Sequence, residues 1–279
     1  MNLTALRTFL AIIEAGSLVR ASTQLNVTQS TVTARLKSLE DEVGQTLINR
    51  QKSGISLTAA GVRLRRYAET ISELWLQARQ ETALPHGVSS LCNIACHPDL
   101  WVQAGKKLFS HIRETEPAVA LSAWLGNQGD ISAWLASGLS DISLTYWPTA
   151  HGSQTIYPLM TDQLILVSTR ADSPTKFDPG YVFVEAGEEF GRAHAAAYSN
   201  ADTARLSFGT AQLGLEHILE HGGSAYLPDW LVTPHLAVKQ LHKLDDAPVF
   251  ERKSFVVVNE RAAQGWPWLA DSIGHIQIA

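Results

Sequence analysis

Apolar residues at Leu6, Phe9, Leu10 and Ile13 recur at three and four residues, the period of a helix with one buried stripe. The pattern predicts a helix from about Leu3 to Glu14, stopped at Gly16. Ser17 is placed to cap a second short helix that turns Val19, Ala21, Ser22 and Leu25 inward, and Asn26-Val27 reads as a turn. Thr28 then caps a third helix. Its apolar stripe is Val32, Leu36, Leu39 and Val43, while Gln29, Ser30, Thr33, Ala34 and Lys37 share the opposite, outward face. After Gly44, Leu47 to Arg50 and Ile55 to Leu57 read as a hairpin turning at Ser53-Gly54, with Arg50 and Lys52 near its tip.

That outward face is small and hydrogen-bonding at its N-terminal end, and the acids Glu40, Asp41 and Glu42 are held back to the last turns. Small residues let a helix sink into a DNA major groove. A Gln can pair bidentately with an adenine edge, Ser and Thr can meet base edges or thymine methyls, and a helix N-terminus favours phosphate. The third helix is therefore the candidate reader and the hairpin a candidate wing.

From Thr58 to Ala83 the residues Leu64, Ala68, Ile71, Trp75 and Ala78 repeat every three or four positions, without Pro and with no Gly after Gly61. A helix of about 25 residues follows, roughly 37 Å long. A helix packed on its own domain would show the same stripe. A dimerising linker is preferred, because a three-helix head has no large apolar face left to cover it. Pro85-His86-Gly87 marks a hinge.

Beyond the hinge strand and helix signals alternate. Leu91–Ala95, Ala118–Leu125 and Asp141–Tyr146 read as strands, with helices over Asp99–Arg113 and Gly129–Ala136, which predicts a parallel α/β unit. A second such unit has strands near Gln163–Ser168, Gly180–Glu185, Arg205–Gly209 and Ser224–Leu227, and helices near Glu189–Tyr198 and Ala211–His221. A late strand at Phe255–Asn259 and a final helix near Trp266–His275 would return to the first unit.

The 279 residues allow two or three domains, and a 45% hydrophobic composition fits a globular protein. No stretch approaches a membrane span, and Met1 leads into a polar, helix-forming segment rather than a signal peptide, so a cytoplasmic protein is expected. The net charge of −5 conceals a split. Up to Arg66 there are nine basic and four acidic residues, or +5; beyond it, 13 basic and 23 acidic residues give −10. The basic end is the end with the candidate reader.

The run Phe9, Gly16, Ala21, Thr28-Gln29-Ser30, Thr33, Leu39-Glu40, Gly44, Leu47, Arg50 and Leu57-Thr58-Ala59-Ala60-Gly61 resembles the LysR-type transcriptional regulators. Many members carry an Arg where this chain has Ala34, and here the next residue is Arg35. Weaker matches, Gly138-Leu139-Ser140-Asp141-Ile142 and Gly222 to Pro228, resemble the family's effector domain, itself similar to periplasmic ligand-binding proteins. Nearly the whole chain is covered, and it looks most like the short HdfR-type branch. The resemblance implies a winged helix-turn-helix over 1–58, a linker helix over 59–84 and a two-lobed effector domain over 88–279. Lobe I would take about 88–160 and 260–279, and lobe II about 161–259. It also implies binding to double-stranded DNA, a small-molecule effector, self-association as a dimer or tetramer, and contact with RNA polymerase. No cofactor is implied.

Ligands of open α/β folds bind at the carboxyl ends of strands, beside helix N-termini. That rule selects Cys96, His97, Asn127, Gln128, Tyr146, Trp147, Thr210 and Tyr226 as the candidate cleft. Core packing is the plainer reading of each large aromatic among them. Cys92 and Cys96 are four residues apart in one predicted strand, about 13 Å, too far to bridge. With His97 they lack the further ligands of a metal knuckle. An enzyme, or a ligand-binding protein using its head as an interaction module, is the competing class. Adjacent Cys96 and His97 point to opposite faces of a strand and make no catalytic dyad, and no G-x-S-x-G, P-loop or G-x-G-x-x-G occurs.

Overall fold

The computed structural model describes residues 2–51, 54–84, 86–148, 154–176, 178–199, 204–260 and 264–277, without the side chains of 50, 51, 54, 73, 77, 80 and 81. It divides into two compact units, Met1–Pro85 and His86–Ala279.

In the first unit α1 (Leu3–Ala15) starts on Asn2, whose side chain accepts from Thr4 N and Ala5 N, and stops at Gly16 with φ +62°. Ser17 precedes α2 (Leu18–Gln24) but its side chain makes no capping bond, and Leu18, rather than Val19, is buried. The inward set starts one residue earlier than expected, at Leu18, and it carries Ala21 and Ser22. Thr28 Oγ1 accepts from Thr31 N and starts α3 (Gln29–Val43). Val32, Leu36 and Leu39 close on Leu6, Phe9 and Ile12, whereas Val43, in the last turn, is exposed. The wing pairs β1 (Ile48–Gln51) antiparallel with β2 (Gly54–Leu57), Gln51 opposite Gly54. Gly54 is thus a strand residue, and Lys52 and Ser53 lie outside the described residues.

Helix α4 (Ala59–Thr82) corrects one expectation. Ala68 is fully buried in the head, and Ala60, Leu64 and Ile71 pack on the same core, so the head does have an apolar face for this stripe. Val62 and Tyr67 stand exposed singly, and from Leu74 onward three large apolar side chains in a row, Leu74, Trp75 and Leu76, are exposed. Gly61 is required at the contact, because a Cβ there would lie 2.1 Å from the Leu47 carbonyl oxygen.

In the second unit β3 (Ser90–Cys96) lies between β4 (Val119–Leu125) and β5 (Ile142–Thr145), parallel to both. Next to β5 the sheet turns antiparallel. β6 (Gln154–Ser168) and β11 (Phe250–Asn259) run together from Gln154↔Asn259 to Leu164↔Phe250, with an irregularity at Ser254/Phe255. β9 (Ser224–Pro228) and β10 (His242–Lys243) add antiparallel to β6. Among the described residues, the second unit expected to be parallel keeps that arrangement only in β7 (Phe183–Val184) with β8 (Ser207–Phe208) and a Tyr181–Ser224 bridge. The strand expected at Phe255 begins at Phe250, and that expected at Gln163 begins at Gln154.

The predicted helix over Asp99–Arg113 is interrupted. It runs as α5 (Pro98–Leu100), a π turn over Trp101–Gly105 and α6 (Lys106–Thr115). A Cβ on Gly105 would meet the Trp101 ring at 2.7 Å and Cys96 Sγ at 2.9 Å, so the widened turn is where helix and strand approach closely. The further helices that lie wholly within the described residues are α7 (Gln128–Ser137), α8 (Glu188–Ala197), α9 (Ala211–His221), α10 (Asp229–Ala237) and α11 (Leu269–Ile276). α10 was not expected: its interior Pro234 reads as a breaker. Leu269, Ile273 and Ile276 of α11 join the core formed by β3, β5 and α6. Among the described residues no helix is long and apolar enough to cross a membrane.

Candidate nucleic-acid interface and ligand cleft

At 100° per residue, Gln29, Ser30, Thr33, Ala34 and Lys37 form one stripe along α3. Gln29, Ser30, Ala34 and Lys37 are exposed and Thr33 is half-buried. Thr28 also lies 2.8 Å from both Ser30 Oγ and Thr31 Oγ1, so its hydroxyl and that of Ser30 are partly committed to starting the helix. Arg35 is half-buried and about 160° around the helix from Lys37, outside the stripe. Arg50 sits in β1 opposite Ile55; the position of its side chain and all of Lys52 lie outside the description.

Thr33, Lys37, Glu40 and Asp41 line a shallow groove with Gly44 to Thr46 and Ile48 at the base of the wing. Glu40 has a part that sequence reasoning missed. Its Oε1 accepts from Leu47 N at 2.8 Å and Ile48 N at 3.3 Å, tying the start of the wing to α3. The sequence signal was an acid seven residues before an apolar strand start, which is too common to single out.

In the second unit β3 delivers His97 to the start of α5. Its Nδ1 accepts from Asp99 N at 3.3 Å, which leaves the proton of the neutral ring on Nε2. Burial pushes its pKa down to about 4; Asp99 opposes the shift and Arg252 adds to it. The ring meets Tyr146 edge-on at 5.1 Å and Trp147 at 5.8 Å, and those two meet each other at 5.8 Å. Trp147 in turn lies against Gly187 ahead of α8, where a Cβ would come within 2.1 Å of its Cζ2.

Behind this wall is a charged cluster that the sequence reading did not contain. Arg252 of β11 is 5% exposed and lies 3.7 Å above the Tyr146 ring. Its Nη1 is 3.3 Å from Asp99 Oδ2, and its Nη2 is 3.2 Å from Asp162 Oδ2 and 2.9 Å from Tyr146 Oη. Tyr146 donates to Asp162 Oδ2 at 3.1 Å. Asp99 Oδ1 accepts from Ala211 N at 3.0 Å, so the same carboxylate receives the first N–H of α9. Burial raises the pKa of Asp162 despite Arg252, and it raises that of Tyr146. Arg252 Nε is buried with no partner among the described residues. The alternation Phe250, Arg252, Ser254, Val256, Val258 was the available signal, since it continues the late strand backwards on one face.

The other candidates divide. Asn127 Oδ1 accepts from Asp130 N and Asp130 Oδ2 from Asn127 N, a capping box at the exposed start of α7, with Gln128 half-buried beside it. Thr210 caps α9, next to the Ala211–Asp99 bond. Cys96 is fully buried among the β3, α6 and α11 side chains, and its thiol donates to His97 O; the thiol lies in the core rather than in the cleft. Cys92 shares that core, and burial pushes both thiols up. Tyr226 departs furthest. Ala225 and Leu227 of β9 face α9, so Tyr226 faces α8, packed on Phe190, His194 and Phe250. Among the described residues no cluster of three metal-ligating side chains occurs.

Residues 3–62 match the family described as bacterial regulatory helix-turn-helix protein, lysR family. Over 285 aligned residues the chain is 26% identical to the HTH-type transcriptional regulator HdfR of Escherichia fergusonii, covering 100% of this chain and 95% of that protein. The fold is similar to that of CbnR, a LysR family transcriptional regulator, with a TM-score of 0.70 at 18% identity over 99% of this chain and 98% of the other. It is also similar to full-length LysG from Corynebacterium glutamicum with bound effector Arg, at a TM-score of 0.55, 20% identity and coverage of 100% and 98%.

Proposed function

We propose that the chain is a LysR-type transcriptional regulator, on the match of residues 3–62 and the full-length relative at 26% identity, and that its two units divide the work. It is a DNA-binding regulator controlled by an effector, not an enzyme. Gln29, Thr33, Ala34 and Lys37 read base edges, Ser30 and the first N–H groups of α3 meet phosphate, and Arg50 and Lys52 of the wing hold the backbone. Arg35, off the stripe, takes no base contact. The observation that carries this reading is the exposed, small and acid-free first half of α3 on the basic unit of an otherwise acidic chain. Self-association brings two such helices to half-sites about one turn of DNA apart, through the exposed Leu74–Trp75–Leu76 end of α4. The regulator acts in the cytoplasm, and its output passes to RNA polymerase.

A small polar effector occupies the cleft bounded by His97, Tyr146, Trp147 and the starts of α7, α8 and α9, where Asn127, Gln128 and Thr210 lie. It competes for the Arg252–Asp99–Asp162 cluster. Support comes from the convergence there of helix N-termini with one arginine that is held by two carboxylates. Cys96 and Tyr226 are not contacts in this reading.

The test is selection of preferred duplexes from a random pool, followed by anisotropy titration at graded salt. Gln29→Ala is expected to weaken the selected site by about 1–3 kcal/mol and to relax one base position. Arg50→Ala is expected to weaken all duplexes alike and reduce the salt slope by about one. Identical sequence profiles for wild type and Gln29→Ala would remove Gln29 from the reading face.

A further inference from the structure

We propose that the chain carries a second small-molecule site, separate from the His97–Tyr146–Trp147 cleft, and that it takes a single-ring aromatic carboxylate. The site is a cavity of about 310 Å³ between α8, the face of β6 and β9 that carries Leu166 and Tyr226, and the loop leading to Tyr181. Interiors pack to a density near 0.75, and a space this size belongs at the lower end of the ~300–1,000 Å³ range of ligand pockets. One ring with a short substituent suits that volume.

Four aromatic side chains, Tyr181, His194, Tyr198 and Tyr226, line the cavity. Tyr181 and His194 stack at 5.6 Å and 11°, and their Oη and Nε2 are 2.8 Å apart. Tyr226 donates to Pro248 O at 3.0 Å, so at 2.6 Å its oxygen receives the proton of Tyr198. The hydroxyl protons of Tyr198 and Tyr226 are therefore spent within the wall. What the wall offers a guest is aromatic surface.

The rim supplies the charge. Lys176 and Arg205 line the cavity from exposed positions. Asp178, the acid among the lining residues, has its two oxygens occupied by Gly180 N at 2.9 Å and Ser224 Oγ at 2.7 Å. An aromatic body with a cationic mouth selects a planar ring bearing one carboxylate over an aliphatic acid or a neutral aromatic. The site also has a route to the rest of the unit. α8 starts at Gly187, against which Trp147 of the cleft lies, and its last turn carries His194 into the cavity wall.

Calorimetric titration of the full chain uses benzoate as the probe, with cyclohexanecarboxylate and benzamide as controls. Benzoate is expected to bind at one site per chain, roughly tenfold more tightly than either control. Lys176→Glu with Arg205→Glu should weaken benzoate at least tenfold, and because both side chains are exposed the urea midpoint should stay in place. Ala204→Trp, which fills the cavity from its half-buried rim, should abolish binding without removing any polar partner. The cleft variant Asn127→Leu should bind benzoate as wild type does, whatever it does to effector response. Three results would overturn the proposal: no heat at millimolar benzoate, equal affinity for all three probes, or binding lost in Asn127→Leu and kept in the rim variants.

Discussion

Replacing His97 with Asn removes a buried imidazole but keeps a side-chain oxygen able to accept from Asp99 N, the bond that starts α5. His97 has a folded pKa of about 4, against about 6.5 for an unfolded histidine. Between those values the unfolded chain binds the extra proton and the folded chain does not, so stability falls as pH falls through that window. At 1.36 kcal/mol per pKa unit, the loss attributable to His97 is about 2 kcal/mol from pH 7 to pH 5 and about 3 kcal/mol once the pH is below 4. The ring is 5% exposed, so solvent screening takes little from this figure. Asp162 works the other way, because its raised pKa lets acid stabilise the fold, but it does so in both proteins. The difference between wild type and His97→Asn therefore isolates the imidazole. At pH 7 the variant should be less stable by roughly 1–3 kcal/mol for the lost ring contacts with Tyr146 and Trp147. At pH 5 that gap should shrink by about 2 kcal/mol. Urea unfolding followed by tryptophan fluorescence is a suitable assay, because seven of the eight tryptophans lie beyond residue 86 and report the second unit. A gap that stays constant from pH 7 to pH 5 would refute the buried neutral state of His97.

Arg252→Met leaves Asp99 and Asp162 buried without their cation, and should cost about 3–5 kcal/mol at pH 7. The pKa of Asp162, already raised by burial, then rises further, so part of the loss should return as pH falls toward 5; a urea midpoint with no such recovery would show that water reaches Asp162. Trp75→Asp, on the exposed end of α4, should dissociate the oligomer in sedimentation equilibrium while the chain keeps its helical circular dichroism. Ile71→Asp packs its charge on the head core instead and should unfold the head, so equal behaviour of the two variants would contradict the division of α4.

Short-range signals made the head legible. Gly16, Asn26 and Gly44 all adopt positive φ where the sequence predicts a helix end or a turn, and Thr28 caps where its position before an apolar period says it should. Each of these acts within a turn of helix, so neighbours in the chain decide it. The same holds for the strand ends that place His97, Asn127, Tyr146 and Thr210, since alternation and helix starts are local. Local reading failed where a residue's partner is remote. Nothing near Ala68 says that its face of α4 meets α1, and nothing near Tyr226 says that its face of β9 meets α8 rather than the cleft. A strand's period assigns a residue to one of two faces, and only the packed elements decide which face is which.

Arg252 shows the same division at the level of charge. The sequence determined a basic head, an acidic remainder, the three helices of that head and alternating α/β elements, because composition and period survive without knowledge of contacts. The tertiary structure alone decided that Arg252 meets Asp99 and Asp162, 153 and 90 residues away. In sequence it stands in the polar run Glu251-Arg252-Lys253 and reads as solvated surface. The antiparallel pairing of β6 and β11 buries its side chain over Tyr146, and once desolvated it needs both carboxylates.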